Sequence, residues 1–194
     1  MQIGAVRPPT SFPSPRAASG EAPALTPALD PTLTKAPPAK GWIQGEFNGQ
    51  PLDLEFDRRH STVQGRFGQG EVKLATDHEH GTITGQLGPR AVKAKFTWSS
   101  ERIGYQGDIG GRPLNLLLDW GKGRLQGMAG GEATDVRFDL ANGRIQGQAV
   151  HGQVDLNYDA KSGRLAGQLG KGALDMTLTN LDLHDFLQNF FVFS

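Results

Sequence analysis

A chain of 194 residues in which 20 lysines and arginines balance 20 aspartates and glutamates lacks the general field that gathers nucleic acid or anionic membrane. With no cysteine, a disulfide framework and cysteine-held zinc are excluded. No run reaches the roughly 20 apolar residues of a membrane helix, and no secretory signal follows Met1. The expectation is a soluble protein with no membrane span and no nucleic-acid partner, cytoplasmic by default or exported by a route that needs no such signal.

Residues 1–40 hold most of the prolines and few aromatics, so they cannot bury enough apolar surface to offset chain entropy. A disordered Pro/Ala/Ser-rich leader is predicted there. Its Ser/Pro/Thr-rich composition resembles the export signals of bacterial proteins sent through needle-type or contractile injection machinery, which makes it a tether or an export tag.

From residue 41 to 180 an apolar-x-Gly triplet recurs: Ile43-Gln44-Gly45, Val63-Gln64-Gly65, Ile83-Thr84-Gly85, Tyr105-Gln106-Gly107, Leu125-Gln126-Gly127, Ile145-Gln146-Gly147 and Leu165-Ala166-Gly167. The glycines step by 20, 20, 22, 20, 20 and 20 residues, the mark of a repeat architecture. In each unit the first strand alternates apolar and polar, as in Ile43 to Phe47, and the second does the same, as in Leu52-Asp53-Leu54-Glu55-Phe56. Turn residues such as Asn48-Gly49, Gly110-Gly111 and Gly130-Gly131 join the two strands. Slightly longer turns, such as Asp139 to Gly143, join successive units.

Every connection is too short for a crossover, which predicts an all-β, antiparallel up-and-down meander of seven hairpins and about 14 strands. To hide its apolar face the meander must close into a barrel, or flatten into a sandwich; closure is favoured because it removes both edges. The repeated glycine is expected to allow a sharp bend and to leave room for a large neighbour such as Leu54, Phe138 or Leu156.

Residues 181–194 leave the pattern. Leu183, Phe186, Leu187, Phe190 and Phe191 are spaced for one face of an amphipathic helix, with Asn180 or Asp182 as its cap. Such a helix plugs or covers the barrel; the alternative is that Phe186, Phe190 and Phe191 dock on a partner or mediate self-association.

Two resemblances follow from the repeat. Its period is similar to that of choline-binding cell-wall modules, whose aromatic cages have no counterpart in a chain with three Trp and two Tyr. Tyr158-Asp159-Ala160-Lys161-Ser162-Gly163-Arg164-Leu165 resembles the signature of shell-forming YD repeats, in one copy.

Alternation leaves few polar residues on the buried side, so no catalytic residues, metal or cofactor are expected and the chain reads as a non-enzyme. Asp77-His78-Glu79-His80 is the densest set of metal-ligand types, but alternate positions in a turn fix no coordination geometry. The functional expectation is a binding or assembly module presenting a polar face to a protein or glycan partner, through Gln44, Gln64, Gln106, Gln126 and Gln146. The alternative is a carrier of a lipid or other hydrophobic ligand in the lumen, since about 14 strands enclose more space than such side chains fill.

Overall fold

The computed structural model of the chain describes residues 38–193. The leader expected over residues 1–40 lies outside them as far as residue 37. Fourteen strands follow in order: β1 (Lys40–Phe47), β2 (Gln50–Asp57), β3 (Thr62–Phe67), β4 (Gly70–Asp77), β5 (Thr82–Leu87), β6 (Arg90–Trp98) and β7 (Arg102–Ile109). The second half comprises β8 (Arg112–Asp119), β9 (Arg124–Ala129), β10 (Glu132–Asp139), β11 (Arg144–Ala149), β12 (Gly152–Asp159), β13 (Arg164–Gly170) and β14 (Gly172–Thr179). Each strand pairs antiparallel with its neighbour in sequence, and β1 pairs with β14. The meander is a closed barrel.

Its register follows from the repeat. Gly45 faces Leu52, and Leu52 faces Phe67 on its other side, two residues beyond the equivalent Gly65. The same slip of two recurs at each hairpin, for instance from Gly85 through Val92 to Ile109. Seven slips of two residues make a shear of 14, equal to the number of strands. This ratio, shared with eight-stranded barrels of shear eight, tilts strands by about 36°. Equivalent residues of all seven units therefore ring the barrel at one height.

Two rims result. The tight turns within units form the hairpin rim, and the longer turns between units form the loop rim. At the loop rim the last residue of an even strand is Asp57, Asp77, Asp119, Asp139 or Asp159, whose carboxylate accepts backbone amides two or three residues on. Such Asx turns fold each loop through bonds local to it.

These bonds favour the charged carboxylate. The His60 ring and amides lower Asp57, the His80 amide and ring lower Asp77, the Asn142 side chain lowers Asp139, and the Lys161 amide lowers Asp159. Because each folded value lies below the unfolded one of about 3.9, the contribution is complete at higher pH and is lost as the pH falls through the folded values. Urea titrations should show constant stability from neutrality to about pH 5 and a decline below about pH 4; a stability that rises on acidification below that point would contradict these bonds.

Inward positions form one apolar cluster, including Ile43, Leu54, Leu116, Val136 and Leu156, all 2% exposed or less. The outer wall carries Gln, Glu, Asp, Lys and Arg, the reverse of the lipid-facing band of a membrane barrel. Arg124–Asp135, Arg144–Asp155 and Arg164–Asp175, each 2.7 Å apart, repeat every 20 residues on that wall.

The expected large neighbours account for the repeated glycines only in part. Gly65 and Gly167 do sit opposite Leu54 and Leu156, but Phe138 sits opposite Ile145. What excludes a side chain is backbone: a Cβ on any of the seven would overlap a carbonyl oxygen of the adjacent strand, such as that of Asp135 beside Gly147.

The C-terminal segment fills the lumen. The helix is shorter than its pattern implied: α1 (Leu183–Gln188) gives way to a 3-10 turn over Phe190–Phe193. Asp182 is the N-cap, accepting the His184 and Asp185 amides, while the Asp185 side chain accepts the Asp182 amide in a capping box. Leu183, Phe186, Leu187, Phe190, Phe191, Val192 and Phe193 are all buried. Phe193 reaches Phe47 and Phe67, at the ends of β1 and β3 beside the hairpin rim, so the plug crosses from one rim towards the other.

Candidate functional site: an aromatic cleft at the loop rim

The innermost layer at the loop rim consists of equivalent residues of the seven units: Phe56, Thr76, Phe96, Leu118, Phe138, Tyr158 and Leu178. Six are large and apolar or aromatic; β4 supplies a threonine. Where Thr76 leaves a gap between Phe56 and Phe96, a cleft of about 530 Å³ opens to solvent. This lies within the range of about 300–1,000 Å³ usual for small-molecule sites.

One side of the cleft is built by the single irregular unit. The 22-residue step falls between Gly85 and Gly107, and the added residues extend the β6–β7 hairpin beyond the rim, pairing Trp98 with Ile103. Thr97 takes the place of the turn aspartate, and the Ser99 hydroxyl accepts the Arg102 amide instead, 3.1 Å away. Phe96 and Trp98, on one face of β6, hold their rings 5.3 Å apart and 31° from parallel. His78 meets both edge-on, at 86° and 89°. Trp98 is thus fixed on two sides and still 59% exposed.

Trp120, from the β8–β9 turn, stands on the far side, packed on Phe138 and on the His184 ring of the plug. Beneath lies the polar side of the plug. The Tyr105 hydroxyl donates to the Gln188 carbonyl at 3.0 Å, and burial pushes that phenol well above its usual value. The Asn189 side-chain amide donates to the Asp185 carbonyl at 2.8 Å.

Arg58 ties this floor to the rim, donating to Asp185 at 2.9 Å and to the carbonyls of Asn180 and Pro38 at 3.0 Å. Burial raises the Asp185 carboxyl, against the Asp182 amide and Arg58, which lower it. Asp57 beside it binds the His60 ring at 2.8 Å. The charged groups at this edge of the cleft therefore occur in pairs.

The residues expected to meet partners lie elsewhere. Gln44, Gln64, Gln106, Gln126 and Gln146 form a girdle on the outer wall, with Thr84 and Ala166 completing the ring. Two strand spacings and a slip of two residues separate successive members by about 12 Å, so none touches the next. Gln44 instead bonds Asp53 at 3.1 Å. Because the girdle is convex and closed, a straight ligand reaches only adjacent members. Phe186, Phe190 and Phe191, expected to plug the barrel or to dock on a partner or a second copy, are exposed by 1% or less and lie inside the barrel.

His78 and His80 diverge, His78 towards the aromatic platform and His80 towards Asp77 at 2.7 Å. Among the described residues no three His, Asp or Glu side chains converge as metal ligands. Two shallower dents on the outer wall, of about 470 and 380 Å³, are walled in part by the ion-paired Arg144, Arg124 and Asp135.

No protein-family model, curated protein or solved structure matches this chain. Fold and site together define a closed, plugged hairpin-repeat barrel with an aromatic cleft at its loop rim.

Proposed function

We propose that the protein is a non-catalytic binding module and that its ligand seat is the rim cleft. The observation that carries this reading is that two departures from an otherwise regular 20-residue unit, Thr76 and the extension through Trp98 and Ser99, flank the same concavity. In a duplicated architecture, equivalent positions drift least where packing alone constrains them; a gap and an insertion facing each other build a space that packing does not require. Trp98 reinforces the point, because an indole held by two aromatic contacts yet left 59% exposed offers a preformed contact surface.

A hydrophobic ligand in the lumen, the carrier reading, requires the plug to leave, with its buried phenylalanines. The cleft requires no such step. The polar girdle offers a second surface, of use to a protein partner that spans neighbouring units.

Substitutions separate these surfaces. Thr76→Phe restores the large residue found in other units and fills the cleft, so it should fold at least as well as the original chain. After incubation with a small-molecule extract, native mass spectrometry should show bound mass on the wild type and on Gln106→Ala/Gln126→Ala, and none on Thr76→Phe. Bound mass kept by Thr76→Phe and lost from the glutamine variant would move the site to the girdle and overturn the proposal.

A further inference from the structure

Resting on the reading of the cleft as the ligand seat, we infer that the ligand is a neutral saccharide whose ring lies flat on the Trp98 indole with its hydroxyls turned to the plug. The platform comes first. Phe96 stacks with an offset on Trp98, 31° from parallel, and His78 packs edge-on against both, which leaves the 59% exposed indole as a braced aromatic face. Aromatic faces carry negative potential and attract the polarised C–H bonds that line one side of a pyranose.

The floor supplies the complement. The Gln188 side-chain amide, the Asn189 side-chain oxygen and the Thr76 hydroxyl border the cleft, and none has a hydrogen-bond partner among the described residues. Planar amides and hydroxyls, each able to pair with an adjacent O–H, match vicinal hydroxyls that both donate and accept.

Charge then narrows the class. Arg58 is bound to Asp185 and Asp57 to His60, so an ionic ligand would have to compete with a pair already made. An acyl chain fits less well still, because covering the floor would strip water from the Gln188 and Asn189 amides and give nothing in return. A neutral ring with one apolar face and one hydroxylated edge meets both surfaces.

The test uses the full chain, with methyl β-glucoside, N-acetylglucosamine, cellobiose and chitobiose at millimolar concentration as probes, and decanoate as the rival. Saturation-transfer NMR should show transfer to ring C–H protons of at least one saccharide. Trp98→Ala should weaken that binding about tenfold, and Thr76→Phe should abolish it, with circular dichroism unchanged in both. If decanoate alone binds, and Thr76→Phe abolishes it, the saccharide inference fails while the cleft remains the seat. If no probe gives a signal sensitive to Thr76→Phe, including saccharide signals that both variants leave intact, the inference fails and the cleft loses its support as well.

Discussion

Gly147→Ala is expected to cost about 3 kcal/mol or more, enough to unfold much of a marginally stable barrel. Gly147 has φ of +148°, and an added Cβ would overlap the Asp135 carbonyl oxygen and lie 2.8 Å from the Val136 Cα. Both obstacles belong to β10, which is hydrogen-bonded on its two sides and cannot retreat without breaking a ladder. Gly49→Ala is the control. Gly49 has φ of +71° and nothing within 4 Å of its would-be Cβ, so only the backbone preference is lost, about 1 kcal/mol. Urea midpoints of the two variants should differ clearly, and equal midpoints would mean that close strand approach does not fix these glycines.

Phe190→Ala is expected to destabilise the protein by about 3–5 kcal/mol, as a buried phenylalanine does when its space cannot collapse. Phe190 is 1% exposed and packs edge-on against Phe186, 5.9 Å between ring centroids. The surrounding wall is hydrogen-bonded all the way round and cannot fold inward to fill the void. Deleting everything after Asn180 goes further, since a circular barrel of 14 strands encloses roughly three times the cross-section of an eight-stranded one and the plug occupies that space. The truncated chain should aggregate or lose fixed tertiary structure by near-ultraviolet circular dichroism. A truncated monomer as stable as the full chain would show that the wall can fill its own interior.

Most of the wall was legible because its determinants are local. Alternation over five residues, as from Ile43 to Phe47, assigns each face of a strand, and short turns permit only a meander. Closure was legible through the edges it removes. The plug was legible in the spacing of Leu183, Phe186, Leu187, Phe190 and Phe191, though its change to a 3-10 turn after Asn189 was not.

The cleft was hidden because it is assembled across the sheet. Phe56, Thr76, Trp98, Trp120 and Gln188 lie on different elements and converge only after register, tilt and plug are set. A signal was nevertheless present. The 22-residue step and the threonine at 76 are the two irregularities that align with the site, and a period read for its exceptions as well as its regularity would have pointed there. The Arg–Asp pairs were missed for a similar reason: Arg124, Arg144 and Arg164 recur every 20 residues, but their partners become neighbours only through strand pairing.

Every hairpin contributes two strands and two residues of shear to the closed wall. Gaining or losing one hairpin would alter girth and stagger together, and a plug of fixed volume would then rattle or fail to enter. Copy number and plug are therefore locked to each other, and divergence within this architecture must proceed inside single units, one loop or one side chain at a time, as the β4–β7 sector already displays.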